Sequence, residues 1–126
     1  MRVLLDTHSL LWAVGSPEKL SKKARIAIEE SANRIFISMA TLWELSIKVN
    51  IGKLQLPDLF FEELEPAGFE ILALKKEHLA EYRNLSLQEH RDPFDRLLVA
   101  QATVEQLILV SRDQELHQYN IPILPA

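Results

Sequence analysis

Three short, unbroken apolar runs decide most of what this chain can become. Val3-Leu4-Leu5, Ile35-Phe36-Ile37 and Leu107-Ile108-Leu109-Val110 show no alternation of polar and apolar residues. A strand with one wet face alternates, whereas a strand of a parallel sheet is covered on both faces and reads as a continuous run. Helical stretches stand between the runs. The first is expected over 7–14, with Leu10, Leu11 and Val14 on one side and Gly15-Ser16-Pro17 ending it. Ser21 caps a second that runs through Glu30, with Ala24, Ala27 and Ile28 inward. Ser38 follows the second apolar run directly and caps a helix over 39–50 that stops at Gly52. Pro57-Asp58 opens another helix, closed by Pro66-Ala67-Gly68. A strand is expected over 69–74 and a helix over 76–85. Asp92-Pro93 places a cap and a first-turn proline ahead of a helix that continues to 105. A short helix over 114–119 and a strand over 121–124 complete the series. Strands alternating with helices make βαβ units. The expectation is one α/β domain over residues 1–126, in three layers (α/β/α), around a parallel sheet of four to five strands.

Charge and composition exclude several functions. Lys and Arg number 14 against 18 Asp and Glu, a net charge of −4, so bulk positive charge does not draw this protein to nucleic acid. A local site for nucleic acid stays open. Cysteine is absent, which removes disulfides, thiolate chemistry, zinc ribbons and iron–sulfur clusters. Gly15, Gly52 and Gly68 stand far apart, so no glycine-rich loop cradles a nucleotide phosphate. No apolar stretch approaches the ~20 residues of a membrane helix, and the start lacks a secretory pattern. A soluble, cytoplasmic protein is expected.

Ligands of an open parallel sheet bind beyond the carboxyl ends of its strands, where the strand order reverses. Asp6 closes the first apolar run, and Asp113 follows the fourth strand in Ser111-Arg112-Asp113. Both fall on one sheet edge, and they come close together if these strands are neighbours. Helix capping also accounts for Asp6, and a turn accounts for Asp113. Glu44 belongs to a helix that Leu42, Trp43, Leu45, Ile47, Val49 and Ile51 make apolar over most of its circumference. Thr41, Glu44 and Lys48 form its narrow polar stripe, which suits a polar cleft, although a Glu44–Lys48 surface pair explains it too. Asp95 sits in the first turn after Asp92, where the helix dipole favours a carboxylate by ~0.3–1 kcal/mol whatever its function. Four carboxylates brought to one edge repel one another unless a cation compensates. Oxygen ligands without cysteine favour Mg²⁺ or Mn²⁺ over zinc. The four histidines have no HExxH-type spacing, and His8 reads as a surface or helix-start residue ahead of a substrate contact, its alternative role.

These segments together resemble a known family. Leu4-Leu5-Asp6-Thr7-His8, Trp43-Glu44-Leu45, His90-Arg91-Asp92-Pro93-Phe94-Asp95-Arg96 ahead of Leu97-Leu98-Val99-Ala100-Gln101-Ala102, and Ser111-Arg112-Asp113 look like the PIN domain. The branch they resemble is the VapC-type toxin ribonucleases, and the likeness spans nearly the whole chain. It implies strand order 3-2-1-4-5, a Mg²⁺- or Mn²⁺-dependent ribonuclease, often a dimer, and a small antitoxin whose tail blocks the acidic site. Asp6, Glu44, Asp95 and Asp113 match the family's acidic quartet. Thr7 and Ser111 match its supporting polar residues, and Asp92 is a helix cap first and a possible outer ligand second.

The expected chemistry is hydrolysis of RNA phosphodiester bonds, with the quartet both catalytic and metal-binding. Arg91, Arg96, Arg112 and Lys48, with Lys53 nearby, are the candidate RNA contacts, and ordinary surface charge is the alternative for each. A haloacid-dehalogenase-like phosphatase needs an Asp where His8 stands. A receiver domain needs an Asp near Leu74-Lys75-Lys76. The remaining alternatives are a PIN domain acting in RNA processing and a non-catalytic module in which Trp12, Trp43, Phe60, Phe61 and Phe94 line a groove for a partner helix.

Overall fold

A computed structural model of the chain describes residues 1–86 and 92–126. In chain order the elements are β1 (Arg2–Leu5), α1 (Thr7–Gly15), α2 (Lys22–Glu29), β2 (Arg34–Ser38), α3 (Met39–Asn50), β3 (Phe69–Leu72), α4 (Lys76–Arg83), α5 (Pro93–Glu105), β4 (Ile108–Ser111) and β5 (Ile123–Pro125), with 3₁₀ turns at Pro17–Lys19 and Gln114–Gln118. All strand pairs are parallel and the order is β3-β2-β1-β4-β5. The three-layer α/β sheet expected from the sequence is therefore present, with five strands.

Period-2 geometry sorts the apolar runs onto two faces. Val3, Leu5, Ile35, Ile37 and Val110 pack with Leu10, Ala24, Leu45 and Leu64 on one side. Leu4, Phe36 and Leu109 pack with Leu98, Val99, Ala102 and Leu116 on the other. This is why no polar residue interrupts the runs. The register aligns Leu5 with Ile37 and with Val110, so Asp6, Ser38 and Ser111 emerge side by side at the carboxyl edge. The order reverses between β1 and β4, which places Asp6 and Asp113 at the switch point.

Three expectations need correcting. The helix expected from Pro57-Asp58 is a chain of turns over 58–68. Its hydrogen bonds mix i→i−3 (Phe60 N to Pro57 O, Leu64 N to Phe61 O) with i→i−4 (Glu63 N to Leu59 O), so no regular α ladder propagates. The third strand ends at Leu72 rather than at 74. Finally, α3 is a surface helix: Ala40, Thr41, Leu42 and Leu45 are buried, but Trp43 is 63% exposed and Ile51 56%. Its outer apolar residues face away from the core, and Trp43 packs edge-on to Phe94 at 5.3 Å between ring centres.

Candidate metal centre

Each acidic side chain is set by the local structure at its strand or helix end. Asp6 caps α1, its Oδ1 accepting from Ser9 N at 2.9 Å, while its own N–H extends the ladder to Val110 O at 3.1 Å. Asp92 caps α5 by accepting from Phe94 N and Asp95 N. That cap and Pro93 fix the first turn in which Asp95 stands. Asp113 caps the 3₁₀ turn through Glu115 N at 2.9 Å, and the buried Ser111 hydroxyl receives the Asp113 N–H at 3.0 Å. Glu44 is held from both sides. Thr7 Oγ1 donates to its Oε1 at 2.5 Å, and Lys48 Nζ lies 3.2 Å from its Oε2.

These residues meet in one place. Asp6, Thr7, Glu44, Lys48, Asp92, Asp95 and Asp113 line a single cleft of about 420 Å³, with His8, Trp12 and Arg112 on its wall. A groove of about 440 Å³ lies elsewhere, between α3 and the 57–62 segment, so volume does not single out the acidic cleft. Its convergent charge does. Four carboxylates from four separate elements offer the all-oxygen donor set that suits a hard divalent cation. In this conformation no three acidic or imidazole side chains among the described residues stand close enough together to enclose an ion.

The other sequence-derived residues divide. Thr41, grouped with Glu44 and Lys48 as one polar stripe, is buried, does not line the cleft, and its hydroxyl has no hydrogen-bond partner among the described residues. Arg96 is a correction: it is buried, donates to Tyr119 Oη at 2.8 Å and to Ser86 O at 3.3 Å, and lies over the Tyr82 and Tyr119 rings. Such a guanidinium fastens α5 to its surroundings. Arg112 reaches the cleft, but its guanidinium bonds Lys19 O and Ala126 O and lies 4.3 Å above Trp12. Lys53 is exposed and does not line the cleft. Arg91 lies outside the described residues. The five aromatics do not form one groove either: Trp12 borders the acidic cleft, Phe60 and Phe61 the groove beside α3, and Trp43 and Phe94 an apolar pocket with Leu79, Tyr82 and Leu97.

Two features escaped the sequence reading. Trp12 is a cleft residue beside His8, and only their i, i+4 spacing hinted at it. Behind the sheet edge runs a buried polar chain in which Ser38 Oγ donates to Gln101 Oε1, and Gln101 Nε2 approaches His78 Nδ1. His78 Nδ1 also accepts from Lys75 N at 3.0 Å, so its ring proton sits on Nε2, 2.7 Å from Glu105 Oε2. That bond, then the Lys75 charge, hold the Glu105 carboxyl below the ordinary glutamate range. The lone Gln101 inside Leu97-Leu98-Val99-Ala100-Gln101-Ala102 was the available signal.

Comparison with known proteins agrees with this geometry. The PIN domain family matches residues 3–122, and the chain belongs to that family. Its fold is that of a chain in VapBC2 from Rickettsia felis bound to a DNA fragment from their promoter, at TM-score 0.71 and 19% identity over 98% of each chain. A chain of DNA-bound VapBC from Salmonella typhimurium gives TM-score 0.66 at 19% identity, covering 98% of this chain and 97% of that one. FitAcB from Neisseria gonorrhoeae gives 0.64 at 19%, with 99% and 97% covered. No curated protein matches the sequence. Among the described residues, no helix is long and apolar enough to cross a membrane.

Proposed function

We infer that this PIN domain is a metal-dependent endoribonuclease, the toxin of a toxin–antitoxin pair. One observation carries the reading: Asp6, Glu44, Asp95 and Asp113, from four elements, converge on one cleft at the switch point of a parallel sheet. Asp6, Asp95 and Asp113 would hold Mg²⁺ or Mn²⁺, with Glu44 direct or through water. A cation bound there supplies Lewis-acid chemistry, acidifying water and offsetting charge on a phosphodiester. The chain's own residues do the positioning. Backbone amides at Ser9 and Glu115 keep Asp6 and Asp113 aimed along the sheet edge, Asp92 fixes the turn that carries Asp95, and Thr7 orients Glu44. Lys48, 3.2 Å away, offsets the charge of Glu44.

The toxin assignment is supported by the solved complexes that share the fold, which include VapBC and a toxin–antitoxin complex from Klebsiella pneumoniae. A small antitoxin is the proposed partner, and a homodimer the proposed assembly, with the exposed Trp43 and Ile47 on α3 as apolar surface for it. Light scattering of the purified chain checks the dimer. The activity is tested with purified protein and a mixed RNA pool in Mn²⁺. Cleavage abolished by EDTA and by Asp6→Asn is the expected result, and cleavage surviving both would retire the mechanism.

A further inference from the structure

The acidic cleft has one wall of a different chemistry. His8 is exposed, and its ring lies 5.8 Å from that of Trp12, tilted by 37°. On the indole lies the Arg112 guanidinium, 4.3 Å from the ring centre. Arg112 stands among carboxylates, yet its Nη2 donates to the backbone oxygens of Lys19 and Ala126, at 2.5 and 3.2 Å. Those two acceptors hold the guanidinium over the ring. Imidazole and guanidinium are thus both presented around one indole, and all three groups line the cleft.

The chain places this set next to the proposed reaction centre from both sides. His8 follows Asp6 by two residues in the first turn of α1, and Arg112 immediately precedes Asp113. Unpaired RNA bases are bound by stacking on aromatic rings and guanidinium planes. The Arg112 Nη2 donors are taken up by two backbone oxygens, so that part of the guanidinium is not offered to a phosphate. A flat, polarisable base is the better match.

Building on the ribonuclease reading, we propose that His8, Trp12 and Arg112 form a stacking subsite for one unpaired RNA base beside the scissile phosphate. The subsite makes cleavage prefer single-stranded RNA and sets which base flanks the cut. His8 supplies the accessible ring, Trp12 supports it, and Arg112 contributes its outer face.

The test has two arms. In the first, Trp43→Phe leaves Trp12 as the only tryptophan. With Mg²⁺ present, adenosine 5′-monophosphate should quench its emission and ribose 5-phosphate should not. His8→Ala should abolish most of that quenching and His8→Phe should restore it. In the second, short RNAs carrying a single abasic nucleotide are cleaved by wild type and by His8→Ala. Removing the base at one position beside the cut should raise KM about 5- to 150-fold for wild type, the range of a single base stack. The same RNA should cost His8→Ala far less, because its stack is already lost. Should His8→Ala keep the wild-type sensitivity and cut sites, or should ribose 5-phosphate quench as well as the nucleotide, the subsite is overturned. Base-dependent quenching in a protein that cleaves no RNA would retain the subsite and retire the nuclease reading instead.

Discussion

Thr7 Oγ1 donates to Glu44 Oε1 at 2.5 Å, tying the first turn of α1 to the middle of α3 across 37 positions of sequence. Thr7 is buried and the Glu44 side chain is only 15% exposed, so neither finds water easily as a substitute. Thr7→Val keeps the shape and removes the donor. It should destabilise the fold by about 1 kcal/mol, within the usual range for a lost hydrogen bond. Freed from Thr7, Glu44 should also weaken Mn²⁺ binding by about tenfold, the lower end for loss of a ligand's supporting bond. Urea denaturation and calorimetry check the two effects separately.

Lys48 acts on the same carboxylate with the opposite consequence. Its side chain is 39% exposed, so the pair contributes no more than about 1 kcal/mol and is screened by salt. Lys48→Met should leave the urea midpoint nearly unchanged. It should also lower the Mn²⁺ concentration needed for half-saturation, because a competing cation has gone. A rise in that concentration would mean that Lys48 assists the site instead.

Arg96 is expected to be structural. Tyr119→Phe removes its 2.8 Å hydrogen bond within a buried environment and should cost about 1.5–3 kcal/mol, the range for bonds to charged groups. The loss should appear in urea denaturation with no change in the sequence preference of cleavage.

Glu105 supplies the pH dependence. Its carboxyl is held below the ordinary value of 4.5, first by the His78 hydrogen bond and then by the Lys75 charge. A depressed carboxyl stabilises the fold fully above its unfolded value, and that contribution disappears as pH falls through the folded value. The stability difference between wild type and Glu105→Gln should therefore be constant near neutrality and shrink below about pH 4.5. Arg34 lowers Glu70 in the same direction through a bidentate bond, so Glu70→Gln serves as the exposed comparison. Denaturation midpoints from pH 3 to 7 give both curves.

The sheet was legible because β1, β2 and β4 are buried on both faces and carry no polar interruption. The caps Ser38 and Asp92 were legible because their side chains satisfy amides within three residues. Convergence of Asp6, Asp95 and Asp113 followed from strand and helix ends, and that of Glu44, in the middle of α3, from its narrow polar stripe. What sequence did not show depends on tertiary placement. Trp43 reads as core by its neighbours, yet α3 turns it outward against Phe94. Arg96 reads as surface charge, but two tyrosines and a carbonyl give a buried guanidinium its partners. Residues 58–68 carry helical punctuation, and mixed hydrogen-bond spacing breaks the helix.

The most direct test is calorimetric titration of Mn²⁺ into wild type, Asp6→Asn, Glu44→Gln, Asp95→Asn and Asp113→Asn, with Glu18→Gln as an exposed acid outside the cleft. If the four carboxylates form one cation site, each cleft variant should bind at least about tenfold more weakly than wild type, since even outer-shell losses cost that much. Glu18→Gln should bind like wild type. Equal Mn²⁺ affinity across all six proteins would contradict the shared site.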